Sequence, residues 1–224
     1  MNMVASEFAT PVLLSRFLAP PQSLQSMLEF LDSSIESDLG LTCLRGQETA
    51  GVSPPMVHSN LASAVAIHRA KLESRDDLHE RGNPALRELL LEIIKSTQCI
   101  MKNIDVNSAD YRPYVMNCWV SSYRCGDYHL PHIHPGAVFA AVYCVETPAL
   151  AAGEGSLVLH DPRQNIGYAP QEWAAFVSDA RMLQLRVGDI VVFPGWLSHS
   201  VTPFRGTGRR LTVSVNLGVK PLIN

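Results

Sequence analysis

Residues 188–217 read GDIVVFPGWLSHSVTPFRGTGRRLTVSVNL, and this stretch decides the fold class of the protein. Its last part, residues 210–217, alternates polar and apolar side chains with a period of two, which predicts a β-strand with two unlike faces. The polar face carries Arg210, Thr212, Ser214 and Asn216, and the apolar face carries Leu211, Val213, Val215 and Leu217. Gly and Pro residues precede this strand, so the stretch indicates short strands joined by turns.

Further short strands are predicted through the second half of the chain. They lie at about 115–123, 138–146, 156–160, 182–186, 190–193, 199–202 and 211–217. Many short strands separated by turn signals are typical of a β-sandwich or barrel. The segment from Gln164 to Ala180 lacks clear periodicity and interrupts the series. It is therefore a candidate lid, with an ordinary surface insertion as the alternative.

Helical patterns dominate before residue 105. A first stripe of apolar residues at helical spacing begins at Leu24 and stops at Gly40. A second stripe opens with the cap Asn83 and a first-turn proline, Pro84, and runs to Met101. The predicted organisation is a single domain over residues 1–224, with a largely helical N-terminal layer at 1–104 and a β core at 105–224.

Composition and charge exclude several classes of protein. With 46% hydrophobic and 17% charged residues among 224, the chain is too apolar to be disordered, and its net charge of −3 gives no electrostatic case for binding nucleic acid. Glu7 and Arg16 interrupt an N-terminal stretch that lacks a basic region, so no signal peptide or membrane span is predicted and a cytoplasmic location is expected. The five cysteines form no C-x-x-C pair, which favours reduced thiols.

Three histidines form a candidate metal site. His132 and His134 are two residues apart, just before a predicted strand, so in an extended backbone they project from one face. His199 follows a strand and a tight turn and is the candidate third ligand. Three such ligands leave open positions for substrate and dioxygen, which is typical of non-haem iron rather than a structural zinc site. Hydrogen-bonded histidines without a metal are the alternative, and His129 is expected to be a loop residue.

The polar face of the last strand adds a second candidate feature. It ends in Arg210, and a polar strand face ending in arginine beside a metal site suggests a pocket that binds a carboxylate. A half-exposed strand with a solvent-facing arginine is the alternative. Alternation places the neighbouring Arg209 on the opposite side of the strand.

The order and spacing of these motifs resemble a family of 2-oxoglutarate- and Fe(II)-dependent oxygenases. Its signature runs roughly H-x-H-P, S-G-V-Y-Y, D-P-R, F-P-x-W-L-x-H-x-V-x-P and R-x-S-x-S-x-N. The corresponding segments here are 132–135, 140–144, 161–163, 193–203 and 210–216. The resemblance implies a mainly β fold with flanking helices, whose core at 105–224 is a double-stranded β-helix, a cupin-like jelly roll.

The resemblance also implies roles for individual residues. The metal ligands for Fe(II) would be His132, His134 and His199, although the wider superfamily has Asp or Glu where His134 stands. Arg210 and Thr212 would bind the far carboxylate of 2-oxoglutarate. Because Cys144 replaces the second tyrosine of the family motif, Tyr123 is expected to supply a hydroxyl. The implied activity is that of a dioxygenase, a hydroxylase, acting on a small molecule or a peptide.

Two other interpretations use the same residues. Gly126 with the two nearby histidines, and Gly188 with Pro194 and His199, resemble the two motifs of a cupin, whose metal is held by three histidines and a glutamate without 2-oxoglutarate. The expected glutamate is absent, and the strand of Arg210 has no role in that scheme. The third interpretation is a metal-free, non-catalytic binding module on the same barrel. The sequence does not indicate an oligomeric state.

Overall fold

The computed structural model describes residues 9–48, 72–104, 110–163 and 180–222. Within these ranges the chain forms two helices, one short 3-10 turn and ten strands. In chain order they are β1 (Leu13–Arg16), α1 (Pro21–Glu48), β2 (Leu72–Glu73), the 3-10 turn (Leu78–Glu80), α2 (Pro84–Asn103), β3 (Tyr111–Tyr123), β4 (His129–His132), β5 (Phe139–Glu146), β6 (Leu157–His160), β7 (Ala180–Leu183), β8 (Asp189–Pro194), β9 (His199–Val201) and β10 (Arg210–Pro221).

The strands form two antiparallel sheets. The larger has the order β1-β8-β5-β10-β3-β2, and the smaller has the order β4-β9-β6-β7. Strands β3 and β10, the longest pair, lie side by side with Arg210 opposite Tyr123 and Asn216 opposite Asn117. The predicted fold class is confirmed: the protein is mainly β with flanking helices, and its core is a double-stranded β-helix.

Both helices pack on the outer face of the larger sheet. The apolar residues of β10 join one buried cluster with α1 and α2, which contribute Met27, Leu31, Leu86, Leu89 and Ile93. Helix α2 begins as predicted, because the side chain of Asn83 accepts a hydrogen bond from the backbone of Leu86 at 2.9 Å and Pro84 occupies the first turn. Since the helices cover the apolar face of β10, its polar face turns inward between the two sheets.

Several element boundaries differ from the predictions. Helix α1 continues through Gly40 to Glu48, because one glycine costs a helix only about 1 kcal/mol. Strand β7 spans Ala180–Leu183 rather than 182–186, and β10 extends to Pro221. Three strands were not predicted at all, namely β1, β2 and β4, which have four residues or fewer. Such short strands carry little local signal and form by pairing with distant ones.

The candidate lid, from Gln164 to Ala180, lies outside the described residues, apart from Ala180 at the start of β7. The division of the domain near residue 105 stays a prediction, as does the cytoplasmic location. Neither of the two helices described is long and apolar enough to cross a membrane.

Candidate metal centre

Three histidines converge between the two sheets. Strands β4 and β9 pair with His132 directly opposite His199. The backbone N–H of His134 donates to the carbonyl of Gly195 at 2.8 Å, which holds the segment after β4 against the turn before β9. One candidate ligand atom from each imidazole lies within 4.8 Å of the others. The structure thus brings together the residues predicted as ligands, although β4 ends at His132 and His134 is not on the same strand.

Backbone carbonyls orient two of the three rings. Nδ1 of His132 lies 2.8 Å from the carbonyl of Leu130, and Nδ1 of His199 lies 2.9 Å from the carbonyl of Leu197. A carbonyl only accepts hydrogen bonds, so each Nδ1 carries the proton and each Nε2 is the unprotonated nitrogen that can act as a metal ligand. Such hydrogen bonds are the usual way in which proteins orient histidine ligands.

The spacing and charge of the cluster suit a metal ion. Nε2 of His134 and Nε2 of His199 are 3.1 Å apart. Two nitrogens bound to one metal at about 2.1 Å and at right angles lie about 3.0 Å apart. Burial lowers the pKa of His199 well below its usual value, and the neighbouring His132 and His134 lower it further. His199 is therefore neutral at pH 7, as a metal ligand must be.

A cleft that is open to solvent extends from the histidines over the inner face of the larger sheet. Two strands supply most of its polar wall: Trp119, Ser121 and Tyr123 come from β3, and Arg210, Thr212 and Ser214 come from β10. The cleft therefore contains every residue predicted to bind metal or co-substrate.

Arg210 is the residue of this wall with a buried hydrogen-bond donor that no other described residue accepts. Its side chain is 2% exposed, and its guanidinium carbon lies 5.1 Å from the centre of the Tyr123 ring. Its Nη1 is buried without a hydrogen-bond partner among the described residues. Leaving such a donor unpaired costs about 1–3 kcal/mol or more, which a bound carboxylate would recover. The solvent-facing alternative for this arginine is wrong.

Arg209 points to the other side of the sheet, as the alternation predicts. Its Nε donates to Glu146 of β5 at 2.9 Å, and its guanidinium binds Asp32 of α1. These contacts tie helix α1 to the outer face of the larger sheet. Arg209 therefore holds helix α1 against the sheet, whereas Arg210 faces the cleft.

The structure corrects the expectation for His129 and shows where Cys144 and Tyr143 lie relative to the cleft. His129 belongs to β4 rather than to a loop, and its ring stacks on that of His132 with centroids 3.9 Å apart. Cys144 is fully buried, and burial raises the pKa of its thiol to about 11. Tyr143 donates to the carbonyl of Phe17 at 3.2 Å, away from the cleft. Neither Cys144 nor Tyr143 lines the cleft, which leaves Tyr123 as the tyrosine that does among the described residues.

The sequence reasoning missed Trp119 and Ser121. The indole of Trp119 lies 5.7 Å from the His134 ring, centre to centre, so it borders the histidine cluster. Both residues share the inward face of β3 with Tyr123. The i, i+2 spacing was a usable signal, but the part of β3 from Cys118 to Tyr123 is largely buried on both faces, and the sequence did not indicate which face lines the site.

The turn at Gly195 holds the segment of His134 in place, so a change at Gly195 gives a testable prediction. A Cβ added at Gly195 would lie 2.3 Å from the backbone oxygen of Ala137. We expect Gly195→Ala to destabilise the fold by about 3 kcal/mol and to weaken iron retention, because this backbone cannot move without shifting His134. Thermal unfolding and iron content would measure both effects. Gly206→Ala is the control, since its nearest contact is the end of the flexible Leu150 side chain; equal effects would contradict the prediction.

Comparison with known proteins identifies the class of enzyme. Residues 117–216 match the family model described as "Putative 2OG-Fe(II) oxygenase", and this region includes all six residues predicted to bind metal or co-substrate. No curated protein sequence matches the chain. The match confirms the predictions that the protein is an enzyme, a 2-oxoglutarate-dependent dioxygenase, and that it uses Fe(II) and 2-oxoglutarate. It favours this class over the cupin-type enzyme and the non-catalytic module.

Solved structures share the fold. A Pseudomonas putida prolyl-4-hydroxylase aligns with a TM-score of 0.52 and 14% identity over 93% of this chain and 92% of that chain. A Trichoplax adhaerens prolyl hydroxylase, solved with a hypoxia inducible factor peptide fragment, gives 0.56 and 12% over 93% and 83%. The carbocyclase SnoK of nogalamycin biosynthesis gives 0.58 and 9% over 93% and 79%. Enzymes with different reactions thus share this fold, which does not indicate the substrate.

Proposed function

We propose that this protein is a hydroxylase in which His132, His134 and His199 bind Fe(II), while Arg210, with Thr212 and Tyr123, binds the far carboxylate of 2-oxoglutarate. The observation that carries the proposal is the buried Nη1 of Arg210, which has no hydrogen-bond partner in the described part of the chain and lies in the same cleft as the histidine cluster. A buried guanidinium in that position favours a bound anion, and three clustered imidazoles suit a metal ion that accepts nitrogen ligands.

Along β10, Arg210 and Thr212 are assigned to the binding of the co-substrate. Arg210 anchors the carboxylate at one end of the cleft, and the Tyr123 ring beneath the guanidinium keeps it in place. Thr212, two residues further along the same face, offers a hydroxyl to the same ligand. The low exposure of Arg210 and His199 reduces the screening of their contacts by water, which strengthens a charged contact there. When bound, Fe(II) and 2-oxoglutarate supply dioxygen activation for hydroxylation of a C–H bond, and 2-oxoglutarate becomes succinate and carbon dioxide.

The substrate is proposed to be a small molecule or a peptide. Trp119 stands beside His134 in the cleft, and the cleft is open to solvent. A flat indole at that place would hold the apolar part of a substrate beside the metal. The peptide complex of the Trichoplax enzyme shows that this fold accommodates a peptide.

A spectrum tests the proposed function directly. Anaerobic addition of Fe(II) and 2-oxoglutarate should produce a visible charge-transfer band, because the 2-oxo acid binds the metal through two oxygens. Iron that binds without giving the band would favour the cupin-type enzyme. Succinate formation would then be measured with free amino acids and with capped tripeptides, and a panel that raises it above background identifies the substrate class.

Replacing His134 by aspartate, an acid that the wider superfamily has at this position, gives a further prediction. His134→Asp should retain about tenfold more iron-dependent 2-oxoglutarate turnover than His134→Ala, because aspartate supplies a ligand atom and alanine does not; tenfold corresponds to about 1.4 kcal/mol. Turnover would be measured as succinate formed. Equal loss in both variants would show that the geometry requires imidazole, and full retention in both would remove His134 from the metal.

A further inference from the structure

The polar wall of the cleft continues past the metal centre as a two-stranded ribbon. In the described part of the chain, β10 pairs with β5 up to Leu217, whereas its pairing with β3 extends to Pro221 opposite Tyr111. Leu217, Val115 and Val219 pack in the cluster beneath the helices. Because successive residues of a strand point to opposite faces, the ribbon residues between them lie on the same face as the cleft.

That face of the ribbon carries an aromatic ring and two cations. Tyr114 lies opposite Gly218, and Arg112 lies opposite Lys220. A Cβ on Gly218 would overlap the outer atoms of the Tyr114 ring, so the ring lies across β10 in space that only a glycine leaves open. Nζ of Lys220 is 5.2 Å from the centre of this ring, and Tyr114, Arg112 and Lys220 are all exposed. Neither cation forms an ion pair with a carboxylate among the described residues.

Two asparagines connect this ring to the metal centre along the same face. Asn117 and Asn216 lie opposite each other, between Tyr114 and Trp119 along the strands. Both are half-buried, and side-chain amides donate hydrogen bonds to peptide groups and accept them. The amide nitrogen of Asn117 donates to Asp76 at 2.9 Å, so a negative charge adjoins this part of the face. Since Trp119 borders the histidine cluster, the face forms one path from the metal centre to the end of the ribbon.

The length of this path indicates the kind of ligand that would fill it. From Ser214, which lies opposite Trp119, β10 advances six residues to Lys220, about 20 Å at about 3.4 Å per residue. An extended peptide advances by the same amount, so about six of its residues reach from the metal centre to Lys220. A ligand that fills the path is therefore an extended polypeptide segment. Its acidic group is expected at the far end, because Lys220 and Arg112 attract it there while Asp76 repels it in the middle.

We propose that the substrate is an extended peptide whose acidic residue, about six positions from the residue that is hydroxylated, binds the exposed end of the ribbon at Tyr114, Arg112 and Lys220. The carboxylate of that residue meets the two cations, and the neighbouring apolar part of the peptide packs on the Tyr114 ring. The proposal rests on the proposed function, because it takes the three histidines as the place where the C–H bond is hydroxylated.

Pools of capped octapeptides test the proposal. Three pools carry Glu, Gln or Lys at the two residues of one end and are randomised elsewhere, and a second set carries these residues at the other end. At low peptide concentration, one Glu pool should form succinate at least about fivefold faster than its Gln pool and than capped tripeptides, which are too short to reach Lys220. Lys220→Glu should lower the rate with that Glu pool about fivefold and raise the rate with the matching Lys pool, because the charge is reversed.

Two substitutions at the aromatic ring separate recognition from folding. Gly218→Ala puts a methyl group where the Tyr114 ring lies, and the ring is the exposed end of a side chain that can move. We expect Gly218→Ala and Tyr114→Ala each to lower the rate with the Glu pool about fivefold, with no further loss when they are combined. Tyr111→Ala is the matched control, since Tyr111 is similarly exposed on the opposite face; it should change the rate less than about twofold. Thermal unfolding would show that each variant is folded.

Several outcomes would overturn the proposal. They are equal rates with the Glu and Gln pools at both ends, an unchanged preference in Lys220→Glu, and octapeptides that react no faster than tripeptides or free amino acids. Absence of turnover with every pool, while Fe(II) and 2-oxoglutarate still give the charge-transfer band, would also overturn it. Absence of the band in the unmodified protein would instead overturn the proposed function, so the two failures are distinct.

Discussion

Replacement of His199 by alanine is expected to abolish stable iron binding, and His132→Ala and His134→Ala are expected to do the same. Each change removes one of three nitrogen ligands. Removing only a residue that hydrogen-bonds to a ligand typically costs about 10- to 100-fold in metal affinity. Removing the ligand itself should therefore cost at least about 100-fold. Iron content after dialysis, with a colorimetric Fe(II) assay, would measure the loss. The folded state would be checked by circular dichroism.

Two other histidines serve as controls for this experiment. His160 binds Ser200 at 2.9 Å through Nε2 and does not belong to the histidine cluster, so His160→Ala should keep its iron. His129 stacks on His132 but is not one of the three clustered ligands, so His129→Ala should keep it too. Full iron occupancy and activity in His132→Ala would show that the three-histidine site is wrong.

Arg210→Ala is expected to raise the 2-oxoglutarate dissociation constant by about ten- to 150-fold, since a hydrogen bond to a charged group contributes about 1.5–3 kcal/mol. Iron binding should remain, because Arg210 is not a metal ligand. Arg209→Ala should change the constant less than about threefold, although it releases contacts with Asp32 and Glu146 that together contribute about 1 kcal/mol to stability. Titration calorimetry of the Fe(II)-loaded proteins under nitrogen would measure both variants.

The comparison of the two arginines tests the register of β10 as well as the function. A larger effect from Arg209 would mean that the inward face is displaced by one residue. No effect from either would remove 2-oxoglutarate from this end of the cleft. Neither result is expected, because Arg210 is buried against Tyr123 and Arg209 is held by helix α1.

Local signals in the sequence determined the elements that carry the site. The alternation at residues 210–217 predicted strand β10, and the Asn83-Pro84 pair predicted the start of α2. The spacing of the histidines predicted a cluster that the structure assembles from residues 65 positions apart. These signals could be read because side-chain periodicity and capping act within a few residues of the chain.

The tertiary structure alone decided which faces meet. The polar face of β10 turns inward because the helices bury the apolar face, and alternation cannot indicate which face is covered. Strand β4 exists because it pairs with β9, whose sequence lies far along the chain. The hydrogen bond from Ser121 to Glu73 and the stacking of Tyr123 under Arg210 depend on strands brought together only by that packing. Contacts between distant segments form through burial and strand pairing, and a local sequence pattern does not predict them.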